Sequence, residues 1–394
     1  MRYRRRMTDS RKIVARYAGS TARSSAARER PALVGAALSV LLAATPGSSR
    51  GAQPIETVLV TSTADAGPGS LREALRAGHR EVRLAPGVGG DVVLTRDIAV
   101  RGPFVTVDGS AAGEGPGLTL RGFGIRIRGN AGAHDVTLRN LRIRDAGDDG
   151  IQIAAGAYNV IVEHVSISGS RDGNLDITQE GTRNVVVRSS IVASPAGAGK
   201  NMLFGNLATG IRFFGNLVID APQRNPEVSY DQTPAERRDA GTTIDMRHNV
   251  FWGWGRGRGP RIEEGSTANV VDNYFGGTDL EDALIVCTGP ATVRTCSRDP
   301  RNVARAYTRG NVVQGGKVDV NVRGTETEPF PAAAVTGDGA CREAERTLRD
   351  AGARPRDEVD RALVAMVAPC SDGPDGSVGR PAGLRSGAPD RATR

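Results

Sequence analysis

Aromatic residues make up only 4% of this 394-residue chain, which holds four cysteines and four histidines. No CxxC pair occurs and no histidine accompanies the cysteines, so thiolate metal ligation is the weaker reading for them. The apolar run Pro31–Ala44 is too short to cross a bilayer, which takes about 20 residues. A Leu-rich repeat consensus is absent, which argues against a leucine-rich solenoid. A cationic excess is missing too once the chain is divided. The formal charge is +8, but residues 1–52 carry a net +9, leaving −1 for the remainder. No global basic field remains to argue for nucleic acid as a partner.

The start of the chain shows a basic head, the apolar run and then small residues, the order of a secretory signal. Residues 1–52 are therefore read as a leader, and the mature protein as secreted, monomeric and free of the membrane after signal removal. Export makes disulfides expected among Cys287, Cys296, Cys341 and Cys370, with Cys287–Cys296 the favoured local pair.

The centre of the chain is an internal repeat. A short apolar segment, a small or polar pair and a second apolar segment recur at Val136–Ile143, Val160–Ile167, Val185–Val192, Ile211–Val218, Ile244–Phe251 and Asn269–Phe275. The first residues of the central pairs, Asn140, His164, Ser189, Gly215, His248 and Asp272, are separated by 24, 25, 26, 33 and 24 positions. Such a period is too short and too helix-poor for a βαβ unit. It suits one turn of a parallel β-helix, in which each turn stacks on the last and buries a continuous apolar column. The neighbouring column, Ser190, Asn216, Asn249 and Asn273, reads as an amide ladder at a bend, where Asn satisfies turn backbone and tolerates the left-handed conformation.

Before the repeat, Val58–Thr61 reads as a strand and Gly69–Arg76 as a short helix. Ser70 caps this helix and Glu73 completes a capping box, plugging the end of the solenoid. Short strands follow at Glu81–Leu84, Val92–Leu94, Val105–Val107, Leu118–Leu120 and Ile125–Ile127, and later at Leu284–Val286, Ala304–Tyr307 and Val318–Val322. The pattern turns helical at Glu343–Asp350 and Asp357–Met366. The expected organisation is a leader over 1–52, an all-β parallel β-helix over 53–340, a helical segment docking over 341–370 and a disordered tail over 371–394.

One arc of successive turns concentrates charge. Asp149 lies nine positions past Asn140, Asp172 and Asp176 eight and twelve past His164, Lys200 eleven past Ser189 and Arg224 nine past Gly215. Similar offsets mean one side of the stack, with turns ~4.8 Å apart. Three converging carboxylates repel one another unless a cation sits between them, and Ca²⁺ with oxygen ligands is the simplest solution. Lys200 and Arg224 beside that cation make the groove suited to an acidic polysaccharide, whose carboxylate would bridge metal and guanidinium.

Five stretches then carry a resemblance: Ser70–Ala74; Val162–Ser168, where the family has V/I-D-H-C-S; Asp172–Asp176; Lys200–Gly205; and Gln223–Pro226. Over roughly residues 70–275 the chain resembles the pectate lyase family, polysaccharide lyase family 1 and its bacterial relatives. Residues 342–367 also look like the end of bacterial members. The resemblance implies a right-handed parallel β-helix, the pectin lyase-like solenoid. It matches Asp149, Asp172 and Asp176 to calcium ligands, Lys200 to the substrate-binding lysine and Arg224 to the arginine that removes the C5 proton. The reaction implied is β-elimination in polygalacturonate. Arginine is a poor base, with an unperturbed pKa of ~12.5 or more, so this role needs desolvation, neighbouring cations or a mainly electrostatic part.

The chain also departs from the family. Many members carry a second basic residue where this chain has Glu227 and Ser229, and Arg261 stands as a substitute carboxylate clamp. The charged insert 228–242, with Tyr230, is placed to shape specificity beside Arg224. His164 and His248 read as structural, Trp252 and Trp254 as packing residues, and Asp148 as an outer neighbour of the metal. Alternatives are a lyase for another acidic polysaccharide such as alginate, or a non-catalytic carbohydrate-binding β-helix. Hydrolysis fits less well, because all three carboxylates are committed to a cation.

Overall fold

Alternation of β-branched residues sets the strands. In Tyr158–Glu163, Val160 and Val162 are fully buried while Ile161 faces outward, the two-residue period of an extended chain. A computed structural model describes residues 53–370, apart from 198, 231–241, 256–257, 278–282, 289–295, 297–302 and 315–325. The leader, the tail, the strand expected at Val318–Val322 and most of the 228–242 insert lie outside the described residues.

The segments stack coil on coil into three parallel sheets of ten, eight and nine strands among the described residues. Register is kept from coil to coil, as in Val136↔Val160↔Val185↔Ile211↔Ile244. Inward positions therefore form continuous buried columns. The chain is a right-handed parallel β-solenoid, as expected. Ile151–Ala154 lies in the eight-stranded sheet, here the groove sheet. Tyr158–Glu163 lies in the ten-stranded sheet and Ser166–Ser168 in the nine-stranded one.

The bend between the last two sheets explains the central pair of each repeat. Asn140, His164, Ser189, Gly215, His248 and Asp272 all adopt the left-handed conformation, with φ between 48° and 65°. The left-handed residue is thus the first of the pair, and not the Asn that follows it. The Asn side chains instead bond from coil to coil: the backbone N–H of Asn216 donates to Asn249 Oδ1, that of Asn249 to Asn273 Oδ1 and that of Asn273 to Asn311 Oδ1, each at 3.0 Å. The ladder runs one coil further than expected, to Asn311. Each rung satisfies a buried bend amide that no strand could reach.

The first end of the apolar column and the outside of the stack meet further elements. Helix α1 (Leu71–Ala74) is one turn long, and Ser70 Oγ accepts the Glu73 N–H at 3.2 Å. Its Leu71 and Ala74, with Leu75, join the core beside Val60 and Val82. A three-residue strand, Ile98–Val100, was too short to be expected from the sequence. Helices α2 (Ala340–Asp350) and α3 (Glu358–Ala365) lie on the outer face of the nine-stranded sheet. There Ala340, Ala344 and Leu363 cluster with Leu217, Val250 and Trp252. Fully buried Asp360 bonds Arg144 at 2.8 Å and Ser166 Oγ at 2.6 Å, and Asp357 bonds Arg144 at 3.0 Å. Disulfides join Cys287 to Cys296 and Cys341 to Cys370, the second tying α2 to the segment after α3. Trp252 and Trp254 are buried.

Candidate active site and cation site

The outward face of the groove sheet is a ladder of single residues from successive coils. Pairing runs Ala99↔Arg126↔Gln152↔Asp176↔Leu203↔Glu227↔Arg261. The loops that return to this sheet are fixed by a second amide ladder. Asn174 Nδ2 donates to Asn201 Oδ1 at 2.8 Å, and Asn201 Nδ2 donates to Asn225 Oδ1 at 3.0 Å. All three asparagines are buried. The residues immediately before them, Gly173, Lys200 and Arg224, are thereby held in one column on three consecutive coils. Arg224 is itself left-handed, at φ +61°, and its carbonyl accepts the Met202 N–H at 2.8 Å.

The carboxylates gather at the lower end of this column. Buried Asp149 accepts the Gly173 N–H at 3.0 Å and Gln152 Nε2 at 2.9 Å. Carboxylate oxygens of Asp148, Asp149 and Asp172 lie within 4.8 Å of one another. Asp176 Oδ1 accepts the Leu203 N–H at 3.0 Å. A Cβ added to Gly173 would stand 2.6 Å from Asp176 Oδ1 and 3.0 Å from Asp149 Oδ1, so these two carboxylates converge on one point and only glycine fits between them. Burial raises the Asp149 carboxyl above its ordinary range, the Asp148 charge adding to it. Burial, with the Asp149 charge second, pushes Asp176 up to about 8.

Partial neutralisation comes from the edges. Lys200 Nζ bonds Asp172 Oδ1 at 2.7 Å, and Arg126 bonds Asp148 at 2.9 Å and Asp97 at 3.0 Å. Arg126 offsets part of the burial of Asp149, yet both Asp149 and Asp176 stay above the ordinary carboxylate range. An oxygen-rich set of four carboxylates, two of them held above their ordinary range by burial and by neighbouring carboxylates, has the donor chemistry of a hard divalent cation such as Ca²⁺. Of the expected ligands, Asp149 and Asp172 fall with Asp148 in the group of oxygens within 4.8 Å, whereas Asp176 stands outside that group and meets Asp149 across Gly173.

Arg224 lies one coil beyond Lys200, its Nε 3.6 Å from Glu227 Oε2. Arg261 is next on the ladder after Glu227 and is ion-paired with Glu263. Burial pushes the Glu263 carboxyl up to about 7 despite that arginine. Tyr230 is buried and bonds Thr243 Oγ1 at 3.0 Å, so it faces the interior and not the groove. His248 is buried too, and burial lowers its pKa. Residues that sequence reasoning left aside are Gly173, Gln152, Arg126 and the asparagine ladder. The ladder did carry a signal: its members are separated by 27 and 24 positions, the coil period.

No family model matches the chain. Among curated relatives it is 33% identical to a probable pectate lyase C of Aspergillus terreus over 68% of this chain and 55% of that protein. It is 29% identical to one of Neosartorya fischeri over 86% and 80%, and 32% identical to one of Aspergillus flavus over 82% and 74%. The chain spans about 55% of the length of the Aspergillus terreus protein. In structure it resembles jun a 1, the major allergen from cedar pollen, with TM-score 0.53 and 17% identity over 75% of this chain and 88% of that one. It also resembles a pectate lyase from a Bacillus species in complex with trigalacturonate, with TM-score 0.51 and 16% identity over 69% and 85%.

Proposed function

The chain belongs to the pectate lyase family, and from that premise we propose that it is a secreted, calcium-dependent polysaccharide lyase that cleaves polygalacturonate or a related uronic acid polymer by β-elimination. The observation that carries this reading is the column Gly173, Lys200, Arg224 running past four carboxylates on adjacent coils. A binding module would have no need of a cation site, an ammonium and a guanidinium at successive steps of one groove.

Asp149, Asp172 and Asp176 would hold Ca²⁺, with Asp148 beside them. A cation held there would supply positive charge to a uronate carboxylate and so acidify the adjacent C5–H. Lys200, 2.7 Å from Asp172, adds a second cation at the same place. Arg224 approaches the sugar from the next coil and, as the neutral guanidine, takes the C5 proton. The C–H electron pair becomes the C4–C5 double bond, the C4–O bond breaks, and the departing oxygen gains a proton from solvent. Glu227 holds the Arg224 side chain from one side.

The test is ultraviolet absorbance of unsaturated uronate ends released from polygalacturonate by the mature protein at alkaline pH, with Ca²⁺ and then with excess chelator. A calcium-dependent rise that is lost in an Arg224→Ala variant supports the reading. Binding to the polymer with no unsaturated product from pectate, pectin or alginate would replace it with a carbohydrate-binding role.

A further inference from the structure

A second cationic feature lies on the same sheet face, away from the carboxylates. Arg72, Arg76, Arg96, Asp97, Ala99 and Arg101 line a cavity of about 280 Å³. Its charges are not equally committed. Arg72 is buried and spent on structure: it pairs with Asp65 and donates to the carbonyls of Arg96 and Asp97, both at 2.7 Å. Arg76 pairs with Glu73 at 3.1 Å. Asp97 is taken by Arg126 at 3.0 Å and by the Gly124 N–H at 3.0 Å. Arg96 and Arg101 are exposed, and among the described residues neither guanidinium has an ion pair or hydrogen bond. The concavity thus keeps two uncommitted cations and no free anion.

Its place on the ladder gives those cations a direction. Ala99 is three register steps from Asp176 and five from Glu227 along one outward column. At the coil spacing these are distances of ~14 Å and ~24 Å. A polymer that touches Lys200 and Arg224 on successive coils lies along the stack, so its continuation passes over Gln152 and Arg126 toward Ala99. Gln152 and Ala99 are partly exposed and Arg126 is held down by Asp97 and Asp148, so the path is not blocked by a free charge.

We infer that Arg96 and Arg101 form a distal subsite that binds a carboxylate of an acidic polysaccharide several sugars from the cation site. This deepens the proposed function and rests on its reading of the groove as a polyuronate track. The pocket anchors long chains and leaves short oligomers at the cleavage point untouched. Binding there is electrostatic and partly exposed, and it weakens with salt.

The experiment is affinity electrophoresis of the mature protein through gels containing polygalacturonate, run in chelator so that neither the cation nor turnover contributes. The variants are Arg96→Ala/Arg101→Ala and a charge control, Arg83→Ala/Arg188→Ala, which removes two exposed arginines from the outer face of the ten-stranded sheet. Retardation of the pocket variant is expected to weaken roughly three- to tenfold, as for one or two partly exposed charge contacts, with the control near wild type. Equal retardation of wild type and pocket variant, or an equal loss in the control, overturns the inference. Circular dichroism and melting of the pocket variant should match wild type, since neither side chain supports the fold. The elimination assay reads the proposed function separately: an active wild type whose pocket variant is unchanged in polymer binding would refute only the subsite. In an active wild type, the pocket variant should raise KM for the polymer and leave kcat and the trimer unaffected.

Discussion

Replacing Asp176 by Asn isolates the repulsion at the centre of the site. The folded protein holds the Asp176 proton up to about pH 8, whereas the unfolded chain releases it near ~3.9. Between those values folding takes up a proton, so the stability of the cation-free protein falls as pH rises and levels off above about 8. Moving this carboxyl from ~3.9 to about 8 corresponds to a ceiling of ~5.5 kcal/mol. Asp176 keeps part of its surface in water, so about half of that, roughly 2–3 kcal/mol, is the expected cost at alkaline pH. Asn at 176 keeps an oxygen for the Leu203 N–H and discards the charge. In chelator, the Asp176→Asn variant should therefore melt several degrees above wild type at pH 9, with the gap closing to about a quarter of that near pH 5. Ca²⁺ should raise the wild-type midpoint most at pH 8–9 and the variant's far less, because a ligand is gone. Differential scanning calorimetry over pH 5–9, with chelator or Ca²⁺, decides. A variant that melts with or below wild type at pH 9 in chelator would refute the account of two carboxylates forced together.

Gly173→Ala places a methyl group 2.6 Å from Asp176 Oδ1 and 3.0 Å from Asp149 Oδ1. Calorimetric titration should show Ca²⁺ affinity falling at least ~10-fold, in the range of mutations around metal ligands. Asn201→Ala strips one of two acceptors from Asn174 Nδ2, which keeps the Ala193 carbonyl, and leaves Asn225 Oδ1 unmet. It should cost about 1–3 kcal/mol in urea unfolding, the range for one buried group left unsatisfied, and also reduce turnover by loosening Lys200 and Arg224. Asp360→Ala leaves Arg144 buried without its nearest carboxylate and frees Ser166 Oγ. A loss of about 3 kcal/mol is expected, with faster proteolysis between α2 and α3. Glu227→Arg restores a cation where many family members have one, and it should raise kcat/KM on unesterified polygalacturonate several-fold relative to methyl-esterified pectin.

The solenoid was legible because its signal is repeated: six copies of one apolar pattern outvote any local ambiguity, and Val160, Val185 and Ile211 are each read by the same rule. The site column was legible for the same reason, since equal offsets within a period become neighbours in space. What escaped were features set by contacts between coils. A lone Gly173 in sequence says nothing of the carboxylates on either side of it, and Arg126 reads as a surface charge until the register sets it beside Asp97 and Asp148. The ion pairs that anchor α2 and α3 escaped as well, because Asp357 and Asp360 are more than 200 positions from the Arg144 that holds them. A buried ion pair at that separation has no periodic trace. The left-handed bend was misplaced by one residue because Asn suits both jobs at a turn, and only the hydrogen bonds tell which one it does.

The groove's charge is graded along the stack, and the grading follows from how a solenoid varies. Inward positions are fixed by packing against both neighbouring coils, whereas an outward side chain meets only the rung before and the rung after it. A charge there can change without disturbing the core. One end of the ladder carries Arg96 and Arg101, the middle carries Asp149, Asp172 and Asp176 with Lys200, and the far end carries Glu227, Glu263 and Glu264 around Arg224 and Arg261. On the proposed reading of the groove, an unesterified uronate would be favoured at the first end and opposed at the last. Glu263, held near neutrality by burial, keeps that opposition weak at acidic pH and strengthens it as pH rises. A uniform polyanion would therefore sit unevenly in this groove. A chain with free carboxylates over the arginines and neutral sugars beyond Arg224 would match it along its whole length.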